Sequence, residues 1–163
     1  ALPISIRILQ VEEVSLDFHA RHSAVSKTYE FHIWRPPIVS PFHARYVYPF
    51  RYPVDEALLD LASRQFIGTY DFTSFCSAAT EVEDRVRTVF EAEWERSEEE
   101  WVFRIRGNGF LQYMVRTITG TILDCGQRRI AVSAIADIFN AKDRRLAGPS
   151  LPARGLHLIR VEY

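Results

Sequence analysis

Arg116 has the sequence setting most suggestive of chemistry. Phe110, Met114, Ile118 and Ile122 recur every fourth residue, and that apolar stripe predicts a helix over residues 110–125. At about 100° per residue, Gln112, Arg116 and Gly120 fall on the opposite side of it. A guanidinium on that otherwise uncharged face, one turn from a glycine that permits close backbone approach, suits a carboxylate or phosphate. The wheel points it away from the domain's own core. An exposed arginine with no special duty is the alternative.

Tyr29 shares a predicted strand face with Phe31 and Ile33, where a tyrosine serves as core, as interface or as a platform on which a base stacks. His19 and His22 stand three apart with no third ligand of matching character, so no metal centre is expected. The carboxylates occur in solvated runs. There is no nucleophilic Ser or Cys set and no phosphate-cradling loop, and Gly107-Asn108-Gly109 is too short for a dinucleotide fingerprint.

The elements that must position these residues follow from periodicity. Residues 4–14 alternate loosely and favour an extended conformation. Lys27, Tyr29, Phe31 and Ile33 alternate with Thr28, Glu30, His32 and Trp34, a strand that Pro36-Pro37 ends. Residues 38–53 are proline-rich and aromatic, an irregular excursion. Asp55 can cap a helix over 56–66, with Gly68 as its stop. Two further strands, 88–95 and 101–106, turn at 97–100 as an antiparallel hairpin. The helix bearing Arg116 follows, then a shorter one over 131–140, and residues 155–163 again read as a strand. Setting the excursions aside, the order strand, helix, strand, strand, helix, strand predicts an α+β fold. It is the ferredoxin-like split βαβ domain, an antiparallel sheet with helices packed on one face. That topology hosts many functions.

Composition sets the outer limits. The 163 residues are 47% hydrophobic, 13% aromatic and 25% charged, enough apolar mass for one full core, and they exclude disorder, collagen and coiled coil. Twenty Lys and Arg against 21 Asp and Glu leave a formal charge of −1, so bulk charge does not indicate a wholly basic nucleic-acid binder. The distribution is uneven. From Glu81 to Phe103 there are nine acids and three bases, and from Arg104 onward ten bases and four acids, a balance compatible with contact to phosphates. Cys76 and Cys125 have neither metal-ligand spacing nor a disulfide scaffold, which suggests a reducing, cytoplasmic setting. No apolar run approaches the ~20 residues that span a bilayer, so no membrane association is expected. A chain opening on Ala1-Leu2-Pro3 reads as a piece of a longer one.

Five ordered blocks then carry a resemblance. They are Phe18-His19-Ala20-Arg21-His22-Ser23-Ala24 with Lys27-Thr28-Tyr29; Asp71-Phe72-Thr73-Ser74-Phe75-Cys76; Gly107-Asn108-Gly109-Phe110-Leu111 with Met114-Val115-Arg116 and Gly120; Lys142-Asp143-Arg144 with Ala147-Gly148; and Gly155-Leu156-His157-Leu158. In this order they resemble the successive motifs of the TruA family of tRNA pseudouridine synthases, along nearly the whole chain. The resemblance implies an enzyme that isomerises uridine to pseudouridine in the anticodon stem-loop of tRNA. It implies a homodimer with a basic cleft and no metal or organic cofactor.

Members of that family consist of two related ferredoxin-like halves, and this sequence is similar to the C-terminal one. Residues 1–25 would then be a connecting segment from the N-terminal half and 26–163 the domain itself. The family's catalytic aspartate sits in a Gly-Arg-Thr-Asp motif of the N-terminal half, and that tetrapeptide does not occur here. Asp17, Asp71 and Asp143 belong to other motifs. The chain alone is therefore expected to be inactive.

The resemblance carries over three positions. Tyr29 corresponds to the tyrosine that stacks on the target base, with proton transfer as a further role. Arg116 corresponds to the arginine that pairs with the absent aspartate, and Leu156 to an apolar residue lining the uracil pocket. Arg21 and Lys27, with Arg144 and Arg145, would contact backbone phosphates. A catalytically empty module that binds RNA or a partner is the alternative.

Overall fold

The computed structural model describes residues 6–163. Its elements, in chain order, are β1 (Ser26–Trp34), β2 (Tyr48–Pro49), α1 (Glu56–Arg64), β3 (Gly68–Asp71), β4 (Val86–Arg96), β5 (Glu100–Gly107), α2 (Met114–Gly126), α3 (Ala134–Ala141) and β6 (Leu156–Glu162). β1 is central. It pairs antiparallel with β5 along one side and with β6 along the other, where β2 adds a short parallel pairing at Ile33 and Trp34. β4 lies beyond β5, and β3 closes the far edge. Without β2 and β3 the order is β6-β1-β5-β4, the expected ferredoxin-like arrangement.

The alternation of β1 and β5 sends Phe31, Ile33, Phe103 and Ile105 to full burial on one face, against Leu59 of α1 and Met114, Ile118 and Ile122 of α2. The Asp55 side chain accepts from Leu58 N at 3.3 Å and starts α1, as the sequence suggests. Gly68 does not end that helix. α1 stops at Arg64, and Gly68, with φ 129°, opens β3 instead.

Three other readings need correction. The first is the period-two reading of β4, which is interrupted. A bulge between Val89 and Glu91 leaves Phe90 unpaired and turned outward, with the Arg106 guanidinium 5.0 Å from its ring centroid. Second, residues 6–15 form neither strand nor helix, and Ile4 and Ser5 lie outside the described residues.

The third correction concerns α2, which starts at Met114 rather than Phe110, because Tyr113 takes a left-handed conformation, φ 64°, that a continuous helix cannot accommodate. Nor is its far side open. Eleven of its thirteen residues are buried, since the sheet and α1 cover one side and a strap, residues 148–151, covers the other. Gly120 faces that strap so closely that a Cβ there would stand 1.9 Å from the Pro149 carbonyl oxygen. The buried threonines are satisfied locally: Thr119 donates to Val115 O, Thr121 donates to Thr117 O and accepts from Gly148 N, and Thr117 meets Ser150 at 3.1 Å.

The opposite face of the sheet carries charge. Glu30 accepts from Arg104 at 2.7 Å and meets His32 at 3.1 Å, and the other ring nitrogen of His32 lies 2.8 Å from Glu100. Burial pulls the Glu30 carboxyl upward, but its hydrogen bonds with Arg104 and His32 outweigh that and hold it below the usual carboxylate range. A depressed folded pKa stabilises the fold above the unfolded value, about 4.3 for glutamate, and the stabilisation is lost as pH falls through the lower folded value. Glu30→Gln is therefore expected to flatten the acid limb of the stability profile, read from urea midpoints between pH 6 and pH 3. An unchanged slope would show that Glu30 does not contribute to it.

Candidate active-site pocket

The N-terminal half of β1, the turn before α2 and the start of β6 enclose an open pocket of about 310 Å³, at the small end of the range for small-ligand sites, roughly 300–1,000 Å³. Tyr29, Arg116 and Leu156, separated by up to 127 positions in sequence, all line it. β1 brings Tyr29 there because Phe31 and Ile33 anchor the same face in the core. Leu156 arrives because β6 pairs with β1, placing it opposite Phe31. Arg116 sits in the first turn of α2, fixed by the burial of Met114, Val115 and Ile118 around it.

Tyr29 is half-buried, and its ring meets Phe110 edge to face at a centroid distance of 5.2 Å. Burial raises the phenol above its ordinary value, so at neutral pH it is an uncharged ring with a hydroxyl able to donate. The Arg116 guanidinium lies over the Tyr113 ring, 4.7 Å from its centroid, and its Nε donates to the Leu151 carbonyl. Leu151 N in turn donates to Arg116 O at 3.3 Å. The strap thus holds Arg116 by side chain and backbone together. No carboxylate among the described residues lies within ion-pair distance of this guanidinium. Chemically, the pocket offers a flat ring a surface at Tyr29, an apolar wall at Leu156 and a cation at Arg116.

Arg21 and Lys27 are not in this pocket. Arg21, exposed in the turn at residues 20–22, lines an adjoining concavity with Arg87, Leu111 and Gln112. Lys27 lies on β1 two residues before Tyr29 and on the same face, partly buried opposite Gly107. His19 and His22 build a turn: the Nδ1 of His19 accepts from the backbone N–H groups of Arg21 and His22. Among the described residues no three His, Cys, Asp or Glu side chains converge as metal ligands, and no helix is long and apolar enough to cross a membrane.

Sequence reasoning missed Tyr113 and misassigned Phe110. Both line the pocket, Phe110 from an irregular turn rather than a helix. The paired glycines at 107 and 109, which break the period just upstream, were the available signal.

A ferredoxin-like sheet with an aromatic and cationic pocket at the start of its second helix places the chain among α+β domains of the split βαβ kind. Comparison with known proteins narrows it. A family model described as tRNA pseudouridine synthase matches residues 62–163. The chain is 44% identical over 163 residues to tRNA pseudouridine synthase A of Listeria monocytogenes serotype 4b, covering 99% of this chain and 66% of that protein. It is 41% identical over 162 residues to a tRNA pseudouridine synthase A 1 of Bacillus cereus, again covering 99% and 66%. With tRNA pseudouridine synthase A of Geobacillus kaustophilus it shares 44% identity over 162 residues, covering 99% and 63%. The chain spans just under two thirds of the length of these relatives. It belongs to the tRNA pseudouridine synthase family.

Proposed function

We propose that this chain supplies the base-binding side of an enzyme that isomerises uridine to pseudouridine in the anticodon stem-loop of tRNA. The reading rests on one observation above all: Tyr29, Leu156 and an Arg116 that lacks a carboxylate partner among the described residues share a single open pocket. A flipped-out uracil stacks on Tyr29, a contact worth roughly 1–3 kcal/mol for a base on an aromatic ring, and Leu156 closes its apolar side. Another segment of the complete polypeptide brings an aspartate to Arg116. The guanidinium keeps that carboxylate ionised and aimed at the ribose while the glycosidic bond is broken. The freed uracil turns in the pocket and C5 bonds to C1′ of the ribose, the C5 proton is lost to solvent and N1 takes up a proton, so the net reaction is an isomerisation that consumes no co-substrate. Arg21 and Lys27 hold backbone phosphates beside the pocket. The complete enzyme acts in the cytoplasm as a homodimer, without metal or organic cofactor.

The test uses tritium release from tRNA labelled at uracil C5. The complete polypeptide is expected to release tritium, and residues 1–163 alone are expected to bind the same tRNA without releasing any. Release by the isolated chain would place the catalytic carboxylate within it. Binding without turnover by the complete polypeptide would make it an RNA-binding module with no chemistry.

A further inference from the structure

Across the loop of residues 77–85 from the candidate pocket lies a larger concavity, about 530 Å³, bordered by Thr73, Arg85, Lys142, Asp143, Arg144 and Arg145. Two of its four cations are already neutralised. Lys142 pairs with Asp71 at 2.7 Å, and Arg145 pairs with Asp143 at 2.6 Å. The other two are not. Arg85 donates only to the carbonyls of Val82 and Thr80, both at 3.3 Å, and Arg144 only to Ala147 O at 3.3 Å. Among the described residues neither has a carboxylate partner, and both are half-buried. Both guanidiniums border this one concavity, and both oppose the rise that burial causes in the Cys76 thiol. Half-buried guanidiniums held only by long bonds to carbonyls retain unused donor capacity and an uncompensated charge, which a tetrahedral oxyanion matches in both geometry and sign.

We propose that this concavity binds a phosphate of the RNA backbone, with Arg85 and Arg144 as its donors. The inference rests on the RNA-binding reading above and extends it to a second contact point. A row of neighbouring concavities favours RNA over a free anion. Arg21 and Arg87 line an intervening concavity of about 420 Å³ that shares Phe110, Leu111 and Gln112 with the candidate pocket and Thr80 and Val82 with the loop that Arg85 holds. A strand whose target base sits at Tyr29 would therefore pass Arg21 and Arg87, with Glu81 beside them, and cross the 77–85 loop to reach Arg85 and Arg144.

Salt dependence of tRNA affinity tests this directly in the complete polypeptide. Each phosphate contact adds roughly 0.7–0.9 to the slope of log K against log salt. The double variant Arg85→Gln, Arg144→Gln is expected to reduce that slope by about 1, with weaker binding at low salt. An unchanged slope with tRNA still bound would overturn this proposal alone, whereas no tRNA binding by the unsubstituted protein would overturn the RNA reading and this proposal with it. Millimolar inorganic phosphate occupying the concavity without weakening tRNA binding would identify a free-anion site and overturn the assignment. Should the double variant not fold, hydrogen exchange on the unsubstituted protein decides. Residues 79–86 and 143–148 are expected to gain protection with tRNA, and no gain would overturn the proposal.

Discussion

Replacing Arg116 by alanine in the complete polypeptide is expected to lower pseudouridine formation by at least about 10³-fold while tRNA affinity changes little. The loss exceeds the roughly 10²–10³-fold typical of one neutral donor at a reacting centre, because a full positive charge opposite a carboxylate is removed from a partly dry pocket. Arg116→Lys keeps the charge but not the planar fork, and it cannot at once donate to Leu151 O and point two parallel N–H groups at an acid. It should recover only a small part of the rate. Because Arg116 also stacks on Tyr113 and bonds to the strap, the alanine variant should lose about 1 kcal/mol of unfolding free energy. Turnover within tenfold of the unsubstituted enzyme would remove Arg116 from the reaction. A loss of folding matching the loss of rate would make it a structural arginine.

Gly120→Ala is expected to cost about 3 kcal/mol of stability, read as a lower urea midpoint at unchanged slope. The added methyl would meet a backbone carbonyl, Pro149 O at 1.9 Å, which cannot swing aside as a side chain tip can. The strap must move as a unit. Since Leu151 is bonded to Arg116 in both directions, its movement also displaces the guanidinium. The variant should therefore lose activity at temperatures where it remains folded. A methyl tolerated without loss of stability would mean that the strap is not pressed onto α2.

The main frame was legible because its signals are local. β5 alternates strictly and the middle of β1 alternates in sequence, Tyr29, Phe31 and Ile33 against Thr28, Glu30 and His32, and Asp55 stands where a helix cap must. β2 and β3 were not legible, being two and four residues long and largely without apolar alternation. The bulge at Phe90 was hidden because an extra residue in a strand leaves composition untouched.

In the candidate site, the wheel put Arg116 opposite the apolar stripe but said nothing of what stands there. The strap that covers Gly120 and grips Arg116 comes from more than 25 residues downstream, and helical periodicity carries no trace of such a contact. Tyr29, Arg116 and Leu156 were singled out together by family resemblance. What the structure adds is that one pocket brings them side by side. The concavity of Arg85 and Arg144 was half visible. Arg144 lies in a quoted motif, whereas Arg85 is an ordinary member of an acidic stretch until folding turns it towards the same space.

Because α2 is held between the sheet and α1 on one side and the strap on the other, the aim of its first turn is inherited from this packing and not from a hinge or a lid. Heat inactivation of the complete enzyme should then coincide with cooperative melting of this domain rather than precede it. The Arg116 end of the catalytic geometry would have no softer mode through which to fail first.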